Sequence, residues 1–377
     1  MIFAVPKETE SEEPRVAATP TSVAKLVKKG AQVSIEAGLG NEAGFPDAAY
    51  EKSGATLVAS RQELLGQADV ILRLRKPPAE EVEWLKPDAI HLSFLDPFNE
   101  KELMSKLANK GVTAVSMEMI PRITRAQKMD ALTSQANLGG YAAVIQGAAL
   151  MKKVFPMMST AAGTILPARV FVIGAGVAGL QAIATAGRLG AKVEAFDTRP
   201  VVAEQVRSLG AKFVEIDLGG ESGQTEQGYA KELTPEQVER QREGMKKCCA
   251  EADLVITTAQ VFGRKAPRIV TKDMLQAMKP QSVIVDMAVA TGGNVEGSVS
   301  GETVEVEGVR IYGNPNLPGC VPLNASEVYA NNLLGLIEDY WDKEGSTLTL
   351  DPADELLKHC VLTHKGAICH PDFKDPE

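Results

Sequence analysis

The chain has 377 residues, a net charge of −9 and a pI near 5.3, with 44% hydrophobic and 24% charged residues. That length suits two or three domains, each with its own core. The acidic balance speaks against nucleic acid as a partner, no apolar run is long enough to span a bilayer, and Met1–Glu8 lacks the basic-then-apolar order of a signal peptide. Five cysteines without a framework spacing suit a reducing compartment, so a cytoplasmic location is expected.

In chain order, Ile2–Val5 reads as a strand and Thr21–Lys29 as a helix, with Thr19 or Thr21 as N-cap and Gly30 as stop. The alternation continues through strands at Gln32–Glu36, Ala55–Ala59, Ala68–Leu74 and Ala89–Phe94, a helix at Lys101–Asn109 and a strand at Thr113–Met117. Strands separated by helical stretches indicate parallel βαβ units. The polar stretch Pro121–Asp130 then interrupts the pattern, ahead of a long helix over about Thr133–Val154. Gly139-Gly140 inside that helix either weakens it or lets another element approach closely.

The most informative stretch is Ala168–Gly179. The β-branched run Val170–Ile173 reads as a buried strand, Gly174-Ala175-Gly176-Val177-Ala178-Gly179 follows as G-x-G-x-x-G, and a helix begins. In that context Gly174 permits the sharp turn, Gly176 lets a pyrophosphate reach the backbone, and Gly179 lets helix pack on strand. The helix N-terminus offers unpaired N–H groups to phosphates. A second strand, Lys192–Phe196, ends in Asp197, placed to accept from the ribose hydroxyls of NAD and to repel a 2′-phosphate. Further strands at Lys212–Glu215, Leu254–Thr257, Ser282–Asp286 and Arg310–Tyr312 complete six, matching a Rossmann sheet. Between them Gly219–Gly244 is a long polar connection of the kind that is functional or disordered. The helix Ala325–Trp341 is expected to return to the first domain.

The predicted architecture is therefore α/β, with two doubly wound Rossmann-like domains and a cleft between them. The first is discontinuous, residues 1–135 and 320–377, and residues 136–319 bind NAD(H). Cys360, His364, Cys369 and His370 near the C-terminus do not have the spacing of a structural zinc module, and no metal site is expected.

Several segments carry a family likeness. Val5-Pro6-Lys7-Glu8, Glu13–Pro20 and Gly174–Ala182 resemble the alanine dehydrogenase and nicotinamide nucleotide transhydrogenase superfamily. Met117–Arg122, Asn137–Tyr141 and Tyr229–Glu232 narrow the resemblance to the NAD(H)-binding alpha subunit, domain I, of proton-translocating transhydrogenases. Where alanine dehydrogenases place a lysine near the substrate, this chain has Arg73, and where they carry a carboxylate ahead of paired glycines it has Ala290. Arginine stays protonated and alanine is inert, which disfavours amino-acid oxidation. Arg15 and His91 match that family, although a lone histidine at a strand end is more often structural.

Hydride transfer between two nicotinamides needs no proton moved at the reacting carbon, only two rings held face to face with water excluded. The resemblance implies that NADP(H) is held by a partner subunit, that a membrane-spanning subunit completes the complex, and that the chain is a homodimer without membrane insertion of its own. The alternatives are an alanine dehydrogenase-like amino-acid oxidoreductase and a non-catalytic NAD(H)-binding regulatory module. Residue by residue, the resemblance places Arg122, Gln127 and Asp130 beside the nicotinamide and Thr133 and Ser134 near the cofactor; either hydroxyl can also cap the long helix. Val177 lies under the pyrophosphate, with Asp197, Thr198 and Arg199 closing the second strand. Gly228 and Tyr229 lie on a loop that closes over nucleotide, and Gln241 and Gln260 lie near the adenosine.

Overall fold

The computed structural model describes residues 1–10, 12–217 and 234–374. The chain divides into two units, one formed by Met1–Gln135 with Pro318–Glu377 and the other by Ala136–Leu317.

The first unit opens with β1 (Ile2–Val5), α1 (Pro20–Lys28), β2 (Gln32–Glu36), α2 (Asp47–Lys52), β3 (Ala55–Val58), α3 (Arg61–Gln67), β4 (Val70–Leu72), β5 (Ile90–Ser93), α4 (Lys101–Asn109) and β6 (Thr113–Ser116). Thr19 begins α1 through a capping box with Ser22. Helix α5 (Ala131–Leu150) carries the chain into the second unit. There follow β7 (Met158–Thr160), β8 (Gly163–Ile165), β9 (Arg169–Ile173), α6 (Val177–Arg188), β10 (Lys192–Phe196), α7 (Ala203–Ser208), β11 (Lys212–Phe213), α8 (Pro235–Glu251), β12 (Leu254–Thr257), α9 (Lys272–Ala277), β13 (Val283–Asp286), β14 (Thr303–Val306) and β15 (Val309–Tyr312). The chain then re-enters the first unit with α10 (Pro322–Tyr340), a small ribbon of β16 (Trp341–Asp342) and β17 (Thr347–Leu348), and finally β18 (Val361–His364) and β19 (Ala367–Ile368).

Each unit is built on a doubly wound sheet. The first has the order β19-β18-β6-β5-β4-β1-β2-β3, the second β11-β10-β9-β12-β13-β15-β14. Counted within each unit, the parallel strands follow 3-2-1-4-5-6, the Rossmann order, and antiparallel strands extend one edge. The expected α/β class with two Rossmann-like sheets is therefore what the chain forms. Those edge strands escape the alternation of strand and helix because each turns back at a two-residue loop. Glu307-Gly308 and Lys365-Gly366 both have positive φ, the condition for a type I′ hairpin.

In the first unit, alternate residues of each strand face opposite layers. Phe3, Val5, Val70 and Leu92 join Val23 and Leu26 of α1 and Tyr329, Leu333 and Ile337 of α10. Ala4, Ile71 and Ala114 face Leu64 and Leu65 of α3 and Leu103 and Leu107 of α4. Helix α10 thus returns to the first unit, as expected, and the Tyr329 hydroxyl donates to the Arg73 carbonyl just past β4 at 2.8 Å. In the second unit, Phe171, Ile173, Val255, Ile284 and Ile311 pack on Met245 and Cys249 of α8 and Met274 and Leu275 of α9.

The first unit also buries charge. Arg73 is fully buried, with Nη1 2.6 Å from Glu81 Oε2 and Nη2 3.8 Å from Glu8 Oε2. Arg61 bridges Glu81 and Glu36 at the rim of this cluster. His91, in β5, is fully buried with Nδ1 3.4 Å from Ser93 Oγ. Burial, reinforced by the Arg73 charge, pushes the His91 imidazole down to about 3. Such a histidine is neutral in the folded state near neutrality, but in the unfolded chain it takes up a proton below its ordinary pKa of about 6.5. Its contribution is complete above that value and is lost as pH falls toward the folded value. In urea titrations, wild type is expected to lose about 2 kcal/mol more between about pH 7 and pH 5 than His91→Gln, whose profile over that range should be flatter. Parallel profiles would refute this assignment.

Candidate nucleotide-binding site

In the second unit the chain leaves β9 and turns at Gly174, whose φ is +98°. A Cβ there would stand 2.5 Å from Thr258 Oγ1, a hydroxyl that donates to the Gly174 carbonyl at 3.0 Å. Gly179, in the first turn of α6, passes so close to the turn that a Cβ would fall 1.9 Å from the Gly174 carbonyl oxygen. At Gly176 a Cβ would meet nothing within 4 Å, and no side chain caps α6. Two of the three glycines are therefore needed for packing, and the third keeps the approach to the helix N-terminus open. Val177, beside it, is exposed. A pyrophosphate fits this geometry, because its charge would meet the N–H groups and positive end of α6.

The internal glycine of α5 serves the same turn. A Cβ on Gly140 would lie 2.2 Å from the Ala178 carbonyl oxygen, so of the two consequences expected for Gly139-Gly140, close approach is the realised one.

Asp197 follows β10 and reaches back to the glycine turn. Its Oδ2 accepts from the Ala175 N–H at 2.8 Å and from Arg199 Nη2 at 2.9 Å; its Oδ1 accepts from the Arg199 N–H at 2.8 Å and Nε at 2.9 Å. A carboxylate has about four acceptor positions, and all are used. Asp197 thus fixes the turn as well as standing at the expected ribose position, and Arg199 must yield before ribose hydroxyls can bind there. Thr198 is half-buried beside it, and Gln241 is half-buried on α8. Gln260 is exposed beyond β12 and donates through Nε2 to the Met287 carbonyl at 3.0 Å. Gly228 and Tyr229 lie outside the described residues.

In the first unit, the stretch read as a polar loop contains a 3₁₀ turn, Thr124–Met129, anchored by buried Ala126 and Met129. It lies against α10: Asn332 Nδ2 donates to the Lys128 carbonyl at 3.0 Å, Lys128 pairs with Asp339, and a Cβ on Gly335 would stand 3.0 Å from that same carbonyl. Arg125 stacks over the Tyr340 ring, 5.6 Å from its centroid. Arg122 and Gln127 are exposed on this turn. Helix α5 is not capped by Thr133 or Ser134. Asp130 caps it, accepting from the Thr133 N–H at 2.9 Å and hydroxyl at 2.6 Å. A carboxylate accepts more strongly than a hydroxyl and favours the positive helix end, which is why the acid takes this place. Ser134 instead donates to Asn332 Oδ1 at 2.7 Å.

Deeper in the first unit, Arg15 donates to Gln135 Oε1 at 2.7 Å and forms a paired contact with Glu13, whose carboxylate also accepts from Arg75 Nε at 2.8 Å. Burial works to raise the Glu13 pKa, but Arg15 and then Arg75 outweigh it and hold the carboxyl below the usual range. With its neighbours Arg73 and Glu8, this cluster was not assembled by sequence reading. Its signal was present in the charged segments around Glu8–Arg15 and Arg73–Lys76. Ala290 is exposed on the 3₁₀ turn Val289–Thr291, so no acid–base group stands at that position. Asp286, by contrast, is wholly buried and structural, accepting from Thr257 Oγ1 and from the N–H groups of Ala288, Asn294 and Val295 at 3.1–3.2 Å.

Sequence profiles for the alanine dehydrogenase/PNT N-terminal and C-terminal domains match residues 4–139 and 143–371. The chain belongs to the alanine dehydrogenase/PNT family. It is 44% identical over 377 residues to the first of the separate chains that make up the NAD(P) transhydrogenase alpha subunit of Rhodospirillum rubrum, covering 98% of both chains. It is 31% identical over 378 residues to alanine dehydrogenase 1 of Staphylococcus aureus, covering 98% of this chain and 94% of that one. Its fold matches the crystal structure of a transhydrogenase from Sinorhizobium meliloti with a TM-score of 0.86 at 44% identity, covering 99% of this chain and 100% of that one.

Because the Gly140 contact is with backbone in a helix that cannot retreat, Gly140→Ala is expected to destabilise the second unit by about 1–3 kcal/mol. The same variant should weaken NADH binding by displacing the first turn of α6. Calorimetric unfolding and NADH fluorescence titration test both effects, and unchanged values would remove the packing role.

Proposed function

We propose that this chain is the NAD(H)-binding component of a proton-translocating transhydrogenase, passing hydride between NADH and NADP⁺ held by a partner subunit. The observation that carries this reading is the second unit's glycine turn, open at Gly176 and closed by packing at Gly174 and Gly179, in a chain 44% identical to a transhydrogenase alpha-subunit chain over 98% of both. Bound NADH would supply the hydride. The chain's own residues bind and orient: the α6 N-terminus takes the pyrophosphate, Asp197 the adenosine ribose once Arg199 yields, and Gln241 and Gln260 the adenosine region. Exposed Arg122 and Gln127, on a turn anchored to α10, present side chains to the nicotinamide end, with Asp130, Thr133 and Ser134 fixing the helix start beside them. Ala290 and the neutral His91 leave those positions without a proton shuttle, which suits direct hydride transfer and disfavours amino-acid oxidation.

The same reading includes an NADP(H)-binding partner, a membrane-spanning subunit and a homodimer, with the complex peripheral to the membrane on the cytoplasmic side. Among the described residues no helix is long and apolar enough to cross a membrane, so the spanning part falls to another chain. The β7–β8 hairpin supports self-association, since Met157, Met158, Ile165 and Leu166 on and beside it are 43–69% exposed.

Mixing the purified chain with an NADP(H)-binding transhydrogenase subunit is expected to give hydride exchange, whereas L-alanine with NAD should give none. In that assay Gln127→Asn should lower the transfer rate about tenfold or more while leaving NADH affinity nearly intact. Equal loss of both would remove the assigned role of Gln127, and turnover of alanine would favour the oxidoreductase reading. Asp197→Ala should weaken NADH more than NADPH, narrowing the preference by about tenfold, because the lost ribose contact and the lost repulsion act on that ratio. If Asp197 serves only to hold the turn, both nucleotides will weaken alike.

A further inference from the structure

The second unit carries a small cavity of about 170 Å³ at the opposite ends of the strands from the glycine turn. Asp253 and Ser282, which line it, immediately precede the parallel strands β12 and β13. Lys152, Lys153 and Lys279 also line it, so three ammonium groups meet one carboxylate and two positive charges are in surplus.

The carboxylate is already committed. Asp253 Oδ2 accepts from Lys153 Nζ at 2.7 Å and from the Arg169 N–H at 2.8 Å, and Oδ1 accepts from Lys279 Nζ at 3.0 Å. Lys279 Nζ donates once more, to the Glu251 carbonyl at 2.5 Å. Each ammonium has three donors, so Lys153 and Lys279 retain some, and Lys152, exposed and pairing with no described residue, retains all of its own.

Ser282 completes the donor set. It is only 4% exposed, and its backbone is held by a donation to the Lys279 carbonyl at 3.1 Å and an acceptance from the Arg310 N–H at 3.0 Å. Its Oγ is buried yet makes no hydrogen bond to any described residue. Buried hydroxyls without a partner are rare, and this one lines a cavity walled by cations. Typical small-molecule pockets enclose roughly 300–1,000 Å³, so the space is too small for a dinucleotide and suits a single compact anion.

We propose that this cavity binds a small phosphate anion, either orthophosphate or the terminal phosphate of a phosphomonoester. A phosphate offers acceptor oxygens on every side and close to two negative charges, matching flexible ammonium donors and one buried hydroxyl.

Equilibrium dialysis of the full chain against radiolabelled orthophosphate at constant ionic strength tests this, with Lys152→Glu and Ser282→Ala alongside wild type. Both variants keep the Lys153–Asp253–Lys279 pairing, and unchanged NADH affinity serves as the control for folding. Wild type should bind phosphate saturably, Lys152→Glu should weaken it by about tenfold or more, and Ser282→Ala by several-fold. Glycerol 2-phosphate that displaces the label would admit phosphomonoesters to the site, and failure to displace it would restrict the site to free orthophosphate. No saturable binding by wild type, or equal binding by wild type and both variants, would overturn the proposal; the latter would move the anion elsewhere, such as the α6 N-terminus.

Discussion

The contact between Gly179 and the Gly174 carbonyl sets the geometry on which the second unit depends. With no side chain between them, α6 lies directly on the end of β9, and its first N–H groups point to where a phosphate can arrive. Three further contacts hold that arrangement. Thr258 fills the space beneath Gly174, Asp197 holds the Ala175 amide, and Gly140 lets α5 press on Ala178. Each uses a small or short polar residue where a larger one would push the turn outward.

The sheet order and the nucleotide turn were legible because they rest on local patterns. Val170–Ile173 followed by spaced glycines and a terminal Asp197 is contiguous chemistry, and the strand–helix alternation of the first unit reads without tertiary information. The antiparallel edge strands were not legible from that alternation, since β14 and β18 are short and β18 pairs with β6 across some 250 residues of chain. The capping of α5 was misassigned to Thr133 or Ser134 because spacing alone does not rank a preceding carboxylate above a hydroxyl. The buried Arg73–Glu8–Glu81 cluster stayed hidden because its members come from three separate segments and only folding reveals that they share one interior.

Within the family, this chain keeps the binding scaffold and departs at the positions that oxidising an amino acid would use. His91 is walled in and uncharged, Ala290 offers only a methyl group, and Asp286 spends its carboxylate on four hydrogen bonds that hold its own loop. The polar side chains left outward on the first unit, Arg122 and Gln127, lie on a turn fixed by Ala126, Met129 and Asn332. A rigid support with mobile tips suits presentation to a second molecule better than enclosure of a small substrate.

The split of the first unit sets an order of assembly on the ribosome. Its core needs Tyr329, Leu333 and Ile337, and the edge of β6 has no partner until Val361–His364 is made. The second unit is synthesised whole while the first still waits for its closing segments, so it has the opportunity to mature as an insert between unfinished halves. During that interval β6 is a bare hydrogen-bonding edge, and nascent chains on neighbouring ribosomes are exposed to mispairing there until the C-terminal hairpin arrives.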